Sequence, residues 1–155
     1  AGEMSGHTFF KDRYYGFDDA IYAGCRIIEI LANKKLEKQS FHIEDLLTVF
    51  DSIATSPELR LPCPNEFKKP VLASFEEFVT NNKDAFGDEI KDIITLDGMR
   101  IVFDGGFALV RQSNTEPVFT LRFEAKTKTS CDKYQEVMVS KLNEYISDIL
   151  IRNSQ

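Results

Sequence analysis

The sequence predicts an α+β protein: a C-terminal domain of about four antiparallel strands flanked by two helices, preceded by a helical remnant of an α/β domain. Three observations carry this. Apolar residues alternate through Ile93–Leu96, Met99–Phe103, Phe107–Val110 and Val118–Phe123, the period of a half-buried strand. Turn-forming residues part these runs: Asp97-Gly98, Asp104-Gly105-Gly106, and the polar stretch 111–117. On both sides of the strands the apolar spacing changes to the 3, 4 and 7 of a helix.

Taken in order, Phe17, Ala20, Ile21, Gly24, Cys25, Ile28 and Leu31 predict a helix over 17–32, with Asp18 and Asp19 in its first turn, where carboxylates favour the dipole. Ser40 is placed to cap a second amphipathic helix carrying Ile43, Leu46, Leu47, Phe50, Ile53 and Ala54. His42, near its start, reads as a surface residue. Thr55-Ser56-Pro57 breaks the pattern, which divides the chain into residues 1–56 and 57–155. Leu59, Leu61 and Cys63 then alternate as an edge strand that Pro62 and Pro64 shorten. Pro70 stands where a first helical residue is favoured, so a helix is expected from there to about Asn82, burying Val71, Leu72, Phe75, Phe78 and Val79. After the strands, Ser130–Arg152 predicts a last helix, capped by Thr129 or Ser130, with Tyr134, Met138, Leu142, Tyr145, Ile149 and Leu150 as its stripe.

Composition bounds the function. The 155 residues are 43% hydrophobic and 28% charged, with a formal net charge of −6. Sequence-independent binding to nucleic acid needs a basic surface, so that class is disfavoured. There is no apolar run of about 18 residues and no signal-peptide pattern, so no membrane role is expected. Cys25, Cys63 and Cys131 form no CxxC pair and have no histidine at zinc-ligand spacing; buried, reduced thiols in a cytoplasmic protein are the expectation.

Two stretches stand apart. Gly2-Glu3-Met4-Ser5-Gly6-His7 sets a carboxylate and a hydroxyl between glycines, with an imidazole directly after; a carboxylate beside a hydroxyl suits vicinal sugar hydroxyls. Because chain termini fray, such a loop at the very start is expected to belong to a longer polypeptide. Arg111-Gln112-Ser113-Asn114-Thr115-Glu116-Pro117 joins two strands and gathers a guanidinium, two hydroxyls and two amides. Ser and Asn in a turn expose backbone N–H groups, and Arg adds a planar fork for two phosphate oxygens. The stretch reads as an oxyanion cradle; turn chemistry alone is the competing account.

Together, GEMSGH at 2–7 and RQSNTEP at 111–117 resemble the α-D-phosphohexomutase superfamily, in its bacterial phosphomannomutase/phosphoglucomutase branch. FFKDRYYGFDDAIYA after the first motif and LDGMRIVF before the second extend the likeness over essentially the whole chain. The resemblance implies the C-terminal portion of a four-domain enzyme: residues 1–56 the end of the third, sugar-loop domain and residues 57–155 the fourth, phosphate-binding domain. It implies interconversion of hexose 1-phosphate and hexose 6-phosphate through a phosphoserine and a bisphosphate intermediate. Glu3 and Ser5 would contact sugar hydroxyls, His7 would lie near the phosphate or carry a proton, and Arg111, Ser113, Asn114 and Thr115 would bind the substrate phosphate. Asn114 and Met4, where aminosugar and other mutases read Gly and Gln, favour mannose and glucose phosphates; Gln112 replaces the commoner Ala or Pro. Magnesium belongs to the parent enzyme, with its ligands outside this chain, as are the phosphoserine loop and the N-terminal domains that would be its partners. Alone, the chain is expected to be inactive. The helices at 17–32 and 43–54 would have lost a sheet to pack on, leaving apolar surface exposed or self-associated. The alternative is a non-catalytic anion- or protein-binding α+β module.

Overall fold

The computed structural model describes residues 1–2, 6–50 and 52–153. The chain forms two compact units, Ala1–Asp51 and Ser52–Gln155. The division falls ahead of the expected 56/57 boundary because the residues between belong to the second unit. Ala54–Thr55 pairs with a later strand, and the Phe123 amide donates to Ser56 Oγ at 3.0 Å.

In the first unit, α1 runs Ala20–Glu37. Asp19 is its N-cap and accepts from the Tyr22 amide, so neither Asp18 nor Asp19 lies in the first turn. The helix continues five residues past the expected Ala32, ending with Lys34 and Lys35 in its last turn. The expected apolar stripe is exposed: Ile21 and Ile28 are 83% and 67% accessible, and Cys25 is exposed rather than buried. The covered side is polar and aromatic. Tyr22 stacks on Tyr14 with centroids 3.9 Å apart, and Arg26 lies over the Phe10 ring and holds Asp12. Arg13 grips Glu29 through both terminal guanidinium nitrogens.

The second expected helix is absent. Ile43–Leu46 and Thr48–Phe50 are short 3₁₀ turns, begun at His42 rather than Ser40 by an Asp45 side chain that accepts from the His42 amide. Ile43, Leu46, Leu47 and Phe50 are exposed. An apolar stripe that buries nothing cannot stabilise a helix this short.

The second unit is an antiparallel sheet with helices on one face. Its strands are β1 Ala54–Thr55, β2 Leu59–Pro62, β3 Ile90–Ile94, β4 Met99–Phe103, β5 Gly106–Gln112 and β6 Val118–Ala125. The order is β3–β4–β5–β6, with β1 and β2 both on the outer edge of β6. The four strands of the expected meander are β3 to β6; β1 and β2 bring the sheet to six among the described residues. The bounds of β4 coincide with the apolar alternation, and β6 begins with it at Val118 and runs two residues past Phe123. In β6, Phe119, Leu121, Phe123 and Ala125 point into the core while their neighbours are half-buried. The β3–β4 connection is wider than a two-residue turn, since Ile94 pairs with Arg100 and Thr95–Gly98 form the loop.

Helices α2, Asn65–Asn81, and α3, Lys128–Asn153, bury Val71, Phe75 and Val79 and Cys131, Tyr134, Met138, Leu142 and Ile146 against that face. Tyr145 and Ile149 lie at the margin of the α3 stripe instead of inside it, and Leu150 is exposed. Pro70 does not open α2: the helix begins at Asn65, and Pro70 sits exposed within it. The carbonyl it leaves without a donor belongs to Glu66 in the exposed first turn, open to solvent. At α3, Thr127 Oγ1 accepts from the Ser130 amide, so the cap lies ahead of Thr129. Among the described residues, no helix is long and apolar enough to cross a membrane.

Candidate functional site

The 113–117 turn is built at the end of the β5–β6 ladder. That ladder remains in register to Gln112↔Phe119, and the Ser113 amide donates to Val118 O at 3.1 Å. Within the turn, Ser113 Oγ accepts from the Glu116 amide at 3.1 Å and lies 3.5 Å from Thr115 Oγ1. Glu116 O accepts from the Val118 amide at 2.8 Å, and Pro117 O accepts from the Cys63 amide at 2.8 Å. Arg60 on β2 pairs with the Glu116 carboxylate across the sheet edge. Burial pushes the Cys63 thiol up, so beneath the turn it stays neutral.

Behind the turn stands Lys68. Its Nζ donates to Ser113 O and to Glu116 O, both at 2.6 Å, and the residue is only 3% exposed. In front, Asn114 and Thr115 are exposed. Among the described residues their amides donate to no protein acceptor, a pair of adjacent N–H groups left for an outside partner.

Arg111 stands at the end of β5. Asp97 Oδ2 accepts from its Nε at 2.9 Å and lies 2.6 Å from its Nη2 as an ion pair, so the carboxylate sits along one edge of the guanidinium and orients it. The pair is more than half exposed, so it orients more than it stabilises. The β3–β4 loop reaches Arg111 through Gly98: at φ +94° it packs so tightly that a Cβ there would stand 2.1 Å from Val110 O. Thus Arg111, Ser113, Asn114 and Thr115 are gathered in one place, with a cation behind, free amides ahead and a planar fork beside them. The arrangement suits an anion with several oxygens.

In the first unit, Gly2 bridges Thr8 and Phe9 bridges Asp18. The second bridge carries Asp18 to His7, whose Nδ1 bonds Asp18 Oδ2. A carboxylate on one ring nitrogen fixes the imidazole's tautomer and orientation, a geometry suited to handling a proton. Glu3 and Ser5, the expected hydroxyl contacts, lie outside the described residues. Among the described residues no three His, Cys, Asp or Glu side chains converge. They offer no donor set for magnesium.

Sequence reasoning passed over Lys68, Asp97 and Asp18. Lys68 carried a signal: it lies three and seven residues before Val71 and Phe75, in phase with the buried stripe of α2. A cation on an apolar stripe requires buried acceptors. Asp97 follows from the hairpin register, which sets Met99 opposite Val110 and so brings the loop to Arg111. Asp18 gave no such sign, because an isolated bridge leaves no periodicity.

Comparison with known proteins meets this geometry from outside. A family model described as "Phosphoglucomutase/phosphomannomutase, C-terminal domain" matches residues 58–141. Another, "Phosphoglucomutase/phosphomannomutase, alpha/beta/alpha domain III", matches residues 1–50. A phosphomannomutase/phosphoglucomutase of Pseudomonas syringae pv. tomato is 38% identical over 149 residues, covering 96% of this chain and 30% of that protein. A phosphoglucomutase of Neisseria gonorrhoeae is 39% identical over 139 residues, 87% of this chain and 27% of its own. The crystal structure of a phosphoglucomutase/phosphomannomutase family protein from Burkholderia thailandensis superposes with a TM-score of 0.69 at 36% identity, covering 93% of this chain and 28% of that one. The chain therefore spans less than a third of the length of these relatives.

Proposed function

The chain belongs to the phosphoglucomutase/phosphomannomutase family, and from that premise we propose that it is the sugar- and phosphate-holding C-terminal portion of a phosphohexomutase. The parent would interconvert hexose 1-phosphate and hexose 6-phosphate, mannose and glucose being the sugars, through a phosphoserine and a bisphosphate. The first unit would supply the sugar contacts from Glu3 and Ser5, and the second the phosphate cradle.

The observation that carries this reading is the adjacent pair of amides at Asn114 and Thr115, unpaired among the described residues, beside the clamped Arg111. A nest of backbone N–H groups with one guanidinium recognises phosphate without reading what it is attached to. The reaction requires that indifference. The intermediate must turn over between two phosphoryl transfers, so the cradle receives the 1-phosphate in one pose and the 6-phosphate in the other. Sugar hydroxyls 3 and 4 lie near the axis of that turn, so one Glu–Ser pair can serve both poses. Mannose and glucose differ at hydroxyl 2, away from the pair. His7, oriented by Asp18, would hold or carry a proton beside the phosphate. Positioning and charge stabilisation are what phosphoryl transfer asks of such residues. Magnesium, which would neutralise charge on the transferring group, has to be held elsewhere in the longer enzyme.

Titration of the 155-residue chain with mannose 1-phosphate, followed by amide NMR, should shift Arg111, Ser113, Asn114 and Thr115 selectively. Binding should be weak, because half a cleft buries little of the ligand. The same chain should convert no mannose 1-phosphate to mannose 6-phosphate. Shifts scattered over the surface, or steady turnover by the purified chain, would sink the reading.

A further inference from the structure

We propose that Lys68 is a positioning residue for phosphate binding: from behind the 113–117 turn its ammonium holds both limbs and sets the Asn114 amide outward as a preformed donor. The inference rests on reading that turn as the phosphate cradle.

The argument begins with the peptide plane. In a trans peptide the C=O of one residue and the N–H of the next point in opposite directions. Ser113 O points at Lys68 Nζ, 2.6 Å away, so the Asn114 N–H faces the other way, toward the exposed side of the turn. On the second limb, Glu116 O also points at Nζ at 2.6 Å. The next residue there is Pro117, which has no N–H, so that limb can turn its carbonyl inward without stranding a donor. A carbonyl-in, amide-out arrangement is therefore produced where an amide exists and costs nothing where it does not.

Lys68 is unsuited to touching the anion itself. It is 3% exposed, and two of its three ammonium protons are committed to the turn's carbonyls. Nor is it a surface lysine folded back by chance. It occupies the buried phase of α2, where Val71, Phe75 and Val79 fix the helix against the sheet, so its stem leaves a rigid base. An ammonium so thoroughly removed from water needs its acceptors, which makes the turn and the lysine mutually dependent. For a loop that must meet phosphate with free amides, fixing those amides beforehand lowers the ordering cost of binding.

The test compares the wild-type chain with Lys68→Met, which keeps the stem and removes the charge. Both are titrated with inorganic phosphate and with mannose 1-phosphate, following amide shifts and ¹⁵N relaxation. In the wild type without ligand, the Asn114 amide should have an order parameter near that of the strands, about 0.85; in Lys68→Met it should fall below about 0.6. Affinity for both ligands should weaken by about tenfold, the loss expected when a charge-assisted anchor goes. Shifts of core amides such as Phe75 and Leu121 should stay unchanged, since a residue serving packing alone would disturb those and spare the affinity of the folded chain. A folded Lys68→Met chain that binds as the wild type does overturns the inference and leaves the cradle standing. A wild-type chain whose 111–115 amides ignore both ligands overturns the cradle, and the inference with it. Should Lys68→Met fail to fold, the wild-type relaxation decides alone: an Asn114 order parameter below about 0.6 without ligand refutes a preset donor.

Discussion

At Gly98 a single missing methyl group lets the β3–β4 loop meet the end of β5. The residue adopts φ +94° and its Cα packs against the Val110 carbonyl, which is what brings Asp97 within reach of the Arg111 guanidinium. We expect Gly98→Ala to destabilise the chain by about 2 to 3 kcal/mol, from left-handed strain plus the displaced contact. It should also weaken phosphate binding, because Arg111 loses its held orientation. Urea denaturation and the phosphate titration read the two effects; unchanged stability would mean that the loop yields without strain. Lys68 and Asp18 act on the same scale, each orienting a neighbour rather than meeting a ligand. The Asp-Gly letters announced a turn, but the nearness of that turn to Arg111 depended on the hairpin register, which letters give only once strands are paired.

Helix α2 shows how an element's bounds are set from outside it. Pro70 pointed to a helix start, whereas the helix begins at Asn65 because Phe67 and Lys68 have places to fill against the core and the 113–117 turn. Proline inside the helix forgoes one hydrogen bond, and its rigidity in the unfolded chain offsets part of that loss. Pro70→Ala should therefore raise stability by about 1 to 2 kcal/mol, read as a higher urea midpoint at unchanged slope. A lower midpoint would show that Pro70 serves the fold in a way its exposed position does not reveal. Residues 43–50 make the converse case: they have the apolar spacing of a helix, but their exposed stripe buries nothing, and 3₁₀ turns result. Periodicity is a necessary sign of a helix, and burial is what makes it sufficient.

Across the whole molecule, stabilising burial is unequally shared. The core runs from Cys63 to Ile146, all within Ser52–Gln155. The first unit, among the described residues, rests on aromatic contacts and ion pairs that are largely exposed, and α1 buries no residue fully. Hydrogen exchange should accordingly find α1 amides opening far more readily than those of β4, β5 and β6. Equal protection in both units would contradict that picture. By itself the sequence determined the alternating strands, their turns, the stripes of α2 and α3, and the two motifs by which the chain is recognised as a family member. Each of these is written in residues near one another, and a period or a spacing is enough to express it. Only the tertiary structure decided which cation stands behind the turn, which carboxylate holds Arg111, and that Ser56 and the strands beside it join β6. Lys68 reaches across 45 residues to Ser113, and Phe123 across 67 to Ser56. The phase of Lys68 on α2 marks it as buried but not what it meets, and contacts so distant leave no local pattern of their partners, because they become favourable only when burial removes the water that would otherwise satisfy the same polar groups.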